Sequence, residues 1–386
     1  MKHTYSKILI RFGELVLKKK NRHMFVNVLA NNILHIVGTK PEVAFDRMYL
    51  PYTEENMHKL QYVFGIDSYS PVVVVENSMV AFEKAVLDLV NTNSHTFKIE
   101  AHRNSKKFEF NSNQINNHLG AYVLQHTNLK VNVHTPDQVF YVEVREKNSY
   151  IFTNFTKGLG GLPVGSSGKV LHMLSGGFDS PVAAFQMLKR GVKLDFLTFI
   201  TPPLTDEKTN EKVLNLVKTL NRYQTTSMLY LANYSTLMSY IQMCDDESFR
   251  ITLMRRSFYR IGQSLCEKYG YMAMSNGENL GQVASQTLES MHVIANGLNY
   301  QVLRPLLTYD KNEIINIARK IETHDISVIK ANETCESFAP KKPVTKPTLN
   351  QVLELENSLD RLTQYETQLV ENNIEVFKIK KEQTKW

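Results

Sequence analysis

Two kinds of apolar spacing alternate along this chain. Short runs such as KILIRFGEL, SPVVVVEN, FKIEAHR and KLDFLTFI are dense in β-branched and aromatic residues and predict strands. Longer stretches such as NRHMFVNVLANNILHIVG, AFEKAVLDLV and NQINNHLGAYVLQH repeat apolar residues every three or four positions and predict helices, the first stopping at Gly38. VAFDRMYL continues the first region as a strand, and EENMHKLQYVFG as a helix ending at Gly65. LKVNVHT and QVFYVEVREKNSYIFTNF return to strands, the latter alternating as a hairpin does.

From residue 170 the order becomes strictly β-α-β-α. KVLHML is a strand, SPVAAFQMLKRG a helix closed by Gly191, and DEKTNEKVLNLVKTLNRY a second helix. TTSMLYLA, the long helix FRITLMRRSFYRIGQSLCEKYG and the strand YMAMSNGE follow, then a polar, helix-prone tail from about residue 341. Alternation of this kind implies a doubly wound parallel sheet. Three regions are therefore expected: a ferredoxin-like α+β unit over 1–60, a second α+β unit over 61–165, and an α/β domain over 166–386. The glycine-rich TKGLGGLPVGSSGK reads as the linker before the last of them. It is not a Walker loop, because Gly168-Lys169 is followed by Val170, and it does not fit GxGxxG.

Composition narrows the class. With 386 residues, 42% hydrophobic and 22% charged, the chain reads as an ordinary soluble globular protein, and no apolar run approaches a membrane span. The start MKHTYSKILIRFGE lacks the features of a signal peptide, so a cytoplasmic protein is expected. Cys244, Cys266 and Cys335 are too widely spaced for a CxxC zinc site and too few for a disulfide framework. The net charge of +7 modestly favours a polyanionic partner.

The strongest chemical signal is SGGFDS between the strand KVLHML and the following helix. In a doubly wound sheet, ligands bind beyond the carboxyl ends of the strands. Gly176 and Gly177 would allow a tight turn and let backbone N–H groups approach phosphate. Ser175 and Ser180 add hydroxyls, and the helix points its positive end at an anion. Asp179 would repel phosphate unless a cation lies between, which suggests Mg²⁺ on a pyrophosphate.

This strand–SGGxDS–helix arrangement resembles the pyrophosphate loop (PP-loop) of ATP pyrophosphatases, which adenylate a substrate. Several stretches in order, ILIRFGELVLKKKNR, GLGGLPVGSSGKVLHMLSGGFDSPVA, NGENLGQVASQTLESM, VLRPLLTYDKNEI and CESFAPKKPVTKP, resemble the ThiI-type tRNA 4-thiouridine synthases over nearly the whole chain. The resemblance implies a ferredoxin-like domain, a THUMP RNA-binding domain and a PP-loop domain. It implies ATP contacts at Met173, Leu174, Ser175, Gly176, Gly177, Asp179, Ser180, Thr198, Phe199, Arg255, Gly277 and Gln286. Read without the family, Leu174 and Phe199 are plain core and Arg255 a surface helix residue. The resemblance also implies a catalytic Lys311; Asp310 beside it serves equally as a helix N-cap.

The expected reaction is ATP-dependent thiolation of uridine 8 of tRNA, with a cysteine desulfurase as persulfide donor and a sulfur-carrier protein as a further candidate partner. The family is also linked to sulfur supply for the thiamine thiazole. Cys335 matches the second of two adjacent family cysteines, but no rhodanese segment is read after it, so it is either a sulfur relay or an inert thiol. Cys244 and Cys266 read as packing residues. RNA contacts are expected from Arg11, Lys18, Lys20 and Arg22, and from Arg103, Lys106 and Lys107. Two departures stand out: Lys19 and Glu322 where the family favours glycine. The rival readings are another adenylating enzyme, such as a 2-thiouridylase or an amide-forming synthetase, and a non-catalytic tRNA-binding protein.

Overall fold

The computed structural model describes residues 5–13, 21–332 and 338–381. Lys18, Lys19, Lys20 and Cys335 lie outside the described residues. The chain divides into two compact units, Met1–Leu162 and Pro163–Trp386.

The first unit opens with β1 (Lys7–Arg11), α1 (Arg22–Val37), β2 (Glu42–Val43), β3 (Arg47–Pro51) and α2 (Glu54–Lys59). It continues through β4 (Ser68–Val75), α3 (Met79–Asp88), β5 (Thr96–Arg103), α4 (Ser112–His126), β6 (Lys130–Val131), β7 (Gln138–Val144), β8 (Ser149–Phe152) and β9 (Thr156–Lys157). Helices α2, α3 and α4 start where side chains satisfy free N–H groups: Thr53 caps α2, Ser78 caps α3, and Asn111 with Gln114 forms a capping box on α4. Gly38 ends α1 in the left-handed conformation, φ 93°.

The strands join in the order β2-β3-β1-β4-β8-β7-β5-β6, with β9 added to β4. Strand β4 pairs with β1 through its first half and with β8 through its second, so residues 1–60 and 61–165 share one sheet. Separate hydrophobic clusters lie on either stretch, one around Leu29, Ile33 and Leu60, the other around Phe82, Leu119 and Phe140.

Several expectations change here. VAFDRMYL is broken into β2 and β3, because Ala44 N–H bonds back to the Arg47 carbonyl in a tight turn. LKVNVHT shrinks to β6, since Asn132 uses its side chain to hold the backbone of His134 and Thr135 in a turn. The expected linker is not free in its first half. β9 pairs with Ser68–Tyr69, and a side chain on Gly158 would meet the Ile66 carbonyl oxygen at 2.3 Å.

The second unit contains β10 (Lys169–Met173), α5 (Asp179–Lys189), β11 (Lys193–Ile200), α6 (Glu207–Leu220), β12 (Thr226–Asn233), α7 (Ser235–Ile241) and α8 (Arg250–Tyr269). Then come β13 (Met274–Ser275), α9 (Leu288–Ala295), β14 (Val302–Leu303), α10 (Lys311–Lys320), α11 (His324–Val328), α12 (Leu349–Ser358), α13 (Leu362–Asn372) and β15 (Ile374–Lys380). The sheet order is β14-β13-β10-β11-β12-β15, parallel except for β15. The chain starts at β10, moves outward through β11 and β12, then returns to the other side of β10 at β13. The order thus reverses at β10, and the segment after β10 lies at a topological switch point.

YMAMSNGE keeps only two strand residues, and the C-terminal tail adds the strand β15 that no alternation had signalled. Cys244 and Cys266 are buried among apolar neighbours, and burial pushes the Cys266 thiol up to about 12, as expected of packing residues.

Candidate active site

The SGGFDS segment leaves β10 and starts α5. Its turn is held by its own serines. Ser180 Oγ accepts from the Ser175 N–H at 2.9 Å and donates to the Ser175 carbonyl at 3.0 Å. The helix begins at Asp179 with no side-chain cap, which leaves its positive end open. Neither Gly176 nor Gly177 takes a positive φ, so the turn does not draw on glycine's left-handed freedom. The glycine required by sterics is Gly277, after β13. A Cβ there would lie 2.6 Å from Ser180 N and 2.8 Å from Ser180 Cα. Gly277 thus lets the β13 exit press against the first turn of α5.

A cleft of about 200 Å³ opens over this turn. Met173, Leu174, Ser175, Gly176, Asp179 and Ser180 line it from the loop, Thr198 and Phe199 from the end of β11, Arg255 from α8, and Gly277 and Gln286 from the following segment. The side chains have distinct local duties. Thr198 Oγ1 donates to the Leu174 carbonyl at 2.9 Å and steadies the loop. Phe199 stacks on Phe258 with ring centroids 3.7 Å apart and planes 4° apart. Gln286 Oε1 accepts from the Asn279 N–H at 3.4 Å, and Gly281 N–H bonds the Gln286 carbonyl at 2.8 Å.

Arg255 is not a surface residue of its helix. It pairs with Glu278 at 2.9 Å and donates to Ser285 Oγ at 2.8 Å. Glu278 is buried and is also met by Arg304 at 2.5 Å and by the Tyr259 hydroxyl at 2.8 Å. Burial pushes the Glu278 carboxyl up, but the charges of Arg255 and Arg304 outweigh it and hold it below its ordinary value. Two guanidinium groups thus neutralise one buried carboxylate; of the three groups, Arg255 and Glu278 line the cleft and Arg304 stands behind them.

At the mouth, Lys311 Nζ lies 2.8 Å from Asp179 Oδ1, and Gln282 Nε2 donates to Asp179 Oδ2 at 2.9 Å. Lys311 is the first residue of α10, and Asp310 forms a capping box with Glu313. Asp179 stands at the open end of α5 with both oxygens directed to long, movable side chains. One carboxylate at an anion site is the kind of donor set Mg²⁺ uses when phosphate and water complete its shell. Among the described residues, no group of three or more His, Cys, Asp or Glu forms a protein-only metal cage.

Sequence reasoning missed Gln282, Phe258, Tyr259 and Glu278. Helical spacing carried a signal for two of them: Phe258 and Tyr259 are three and four residues after Arg255, on the same face of α8.

The basic residues expected at an RNA surface divide. Arg11 is buried, donating to Ser70 Oγ at 3.0 Å, pairing with Glu143 at 3.4 Å and facing the Phe155 ring at 4.3 Å. It is an interior cation of the first unit, which corrects its place in a surface cluster. Arg22 covers the Phe45 ring at 4.5 Å and bonds the Phe45 carbonyl. Arg103 donates to the Phe108 carbonyl at 3.2 Å, Lys107 pairs with Glu146, and Lys106 is exposed. Phe108 and Phe110 pack onto the hydrophobic core.

The parallel sheet and the capless helix start at its switch point define a PP-loop domain, which follows a THUMP-bearing unit in the sequence. The chain belongs to the ThiI family. The model of the thiamine biosynthesis protein ThiI matches residues 165–361, that of the ThiI ferredoxin-like domain residues 7–70, and that of the THUMP domain residues 78–154. The "Probable tRNA sulfurtransferase" of Mycoplasmopsis synoviae (strain 53) is 55% identical over 97% of this chain and 100% of its own length. That of Geobacillus thermodenitrificans is 40% identical over 92% of each chain. A crystal structure of a 4-thiouridine synthetase–RNA complex with bound ATP superposes with a TM-score of 0.91, at 34% identity, over 98% of this chain and 100% of that one.

Proposed function

We propose that this protein is a tRNA 4-thiouridine synthase that binds ATP in the cleft above SGGFDS and adenylates uridine 8 of tRNA. The observation that carries the reading is the juxtaposition of the open α5 N-terminus, Asp179 and Lys311 at the sheet's switch point. The solved 4-thiouridine synthetase with ATP and RNA supports it by its likeness over the full chain.

ATP places its adenine along Phe199, with Thr198 and Leu174 beneath, and its phosphates over Ser175–Ser180. The uridine 4-oxygen attacks the α-phosphate, the bond to the bridging oxygen breaks, and pyrophosphate leaves. Loop N–H groups and the α5 N-terminus receive the developing charge. Lys311 exchanges its contact with Asp179 for phosphate oxygens and stabilises the same charge. Mg²⁺ held by Asp179 would neutralise charge on the phosphates. C4 of the adenylated uridine then carries AMP as a leaving group, and sulfur displaces it. A cysteine desulfurase is the proposed persulfide donor, directly or through a sulfur carrier: the outer persulfide sulfur displaces AMP from C4, and a second thiol, the role proposed for Cys335, attacks the donor cysteine's sulfur, which releases 4-thiouridine and leaves a disulfide that an external thiol reduces. A sulfur-supply role for thiamine rests on the family description alone.

The test is mass analysis of nucleosides from tRNA incubated with the protein, Mg·ATP and sulfide. A gain of 4-thiouridine that disappears in Asp179→Ala, with tRNA affinity retained, is expected. ATP cleavage without 4-thiouridine would point to another acceptor. No turnover by folded, tRNA-binding protein would favour the non-catalytic reading.

A further inference from the structure

The strand that delivers the phosphate loop carries a histidine with no solvent exposure, His172, one residue before the end of β10. Its Nε2 lies 2.9 Å from the Ser180 carbonyl oxygen, and its Nδ1 lies 2.7 Å from Ser275 Oγ. A carbonyl only accepts, so Nε2 carries the proton. Nδ1 is then unprotonated and accepts from the Ser275 hydroxyl. The ring reaches from the centre of the sheet into the first turn of α5, where Asp179 and Ser180 face the cleft. Ser275 is the last residue of β13, two residues before the Gly277 that touches Ser180 from the other side.

The geometry points to His172 as a positioning residue: with Ser275 it ties β10 and β13 to the Ser180 carbonyl and so holds the phosphate loop in its binding shape. Burial keeps the imidazole neutral, with its pKa near 4, so the tautomer and its two bonds persist through the physiological range. Among the described residues, no carboxylate meets the ring. Its remaining ring neighbour is Phe196 on β11, edge-on at 6.0 Å. The pair is therefore not a proton relay, and its one directional link to the site is the donated bond at Ser180. A packing residue of the same size would fill the space without that link.

This inference rests on the proposed ATP site, and its test separates the two. The double substitution His172→Val with Ser275→Val removes both polar partners together, so no hydroxyl or ring nitrogen is stranded in the core and the fold is retained. ATP affinity and the steady-state constants are measured for the wild type, this variant and His172→Gln, whose amide can still donate towards Ser180. The double variant is expected to unfold near the wild-type temperature and to lose about tenfold in ATP affinity, one directional hydrogen bond's worth. The change should fall mainly on KM for ATP, and His172→Gln should recover most of it. Long-range proton–nitrogen spectra of the wild type should show a neutral Nε2–H imidazole. A folded double variant with unchanged ATP affinity, or an Nδ1–H tautomer in the wild type, overturns the inference. A wild type that binds no ATP overturns the proposed site instead.

Discussion

At the scale of single residues, two backbone constraints have opposite consequences. Gly277 has no room for a side chain, because a Cβ would meet the backbone of Asp179 and Ser180 at 2.6–2.8 Å. Neither partner is a flexible tip that can swing away. Gly277→Ala should therefore push the β13 exit off α5, destabilising the unit by about 1–3 kcal/mol and weakening ATP binding in the same variant. Urea denaturation together with ATP titration checks both; a stable variant with intact affinity would show that the contact yields. Glu322 is the reverse case. It adopts φ 59°, a left-handed conformation that an L side chain resists, and its largely exposed side chain pairs with Arg222. Glu322→Gly should raise stability by roughly 0.5–1 kcal/mol, read as an increase in the denaturation midpoint at unchanged slope. A loss of stability would mean that the ion pair outweighs the backbone strain.

At the scale of elements, α8 shows what the sequence could and could not disclose. Its length, its amphipathic spacing and its stop at Gly270 were plain in the pattern. The SGGFDS turn was equally legible, because strand, turn and helix are adjacent in the chain. What escaped was pairing between distant segments. No local signal tells that Arg256 and Arg260 on α8 receive Glu356 from α12 at 2.9 and 2.7 Å, or that Arg260 meets Glu366 of α13 at 2.7 Å. β15 was missed for a similar reason: it joins the sheet at an edge with most of its residues exposed, so it lacks a buried alternating face. These pairs fix the C-terminal helices to α8 and carry a pH dependence. Burial pushes the Glu356 carboxyl up, but hydrogen bonds and charge from Arg256 and Arg260 outweigh it and hold it below its ordinary value. A lowered folded pKa adds stability above the unfolded value of about 4.3, and that stability is lost as pH falls through the folded value. Glu356→Gln should cost roughly 3 kcal/mol at neutral pH, by stranding Arg256, and should flatten the loss of stability below about pH 4.5. Denaturation midpoints between pH 3 and 7 would show it; parallel curves for both proteins would remove Glu356 from the acid transition.

At the scale of the whole molecule, the charge of +7 gains meaning only when the paired cations are set aside. Arg11 is spent inside the first unit, Arg255 and Arg304 are spent on Glu278, and Arg256 and Arg260 on the C-terminal helices. An RNA surface must come from cations such as Lys106, which is exposed, rather than from a count of basic residues. Each phosphate contact releases condensed counterions, so its loss changes the salt dependence of binding as well as the affinity. If Lys106 meets RNA, Lys106→Ala should weaken tRNA binding and lower the slope of log affinity against log salt by about 0.7–0.9, without altering ATP affinity. Lys107→Ala should change the slope less, because Lys107 would have to leave Glu146 before it could meet a phosphate. Filter binding between low and physiological salt would separate the two. Equal slopes for wild type and Lys106→Ala would exclude that lysine from the RNA surface, and a larger effect at Lys107 would show that the Glu146 pair opens when RNA arrives.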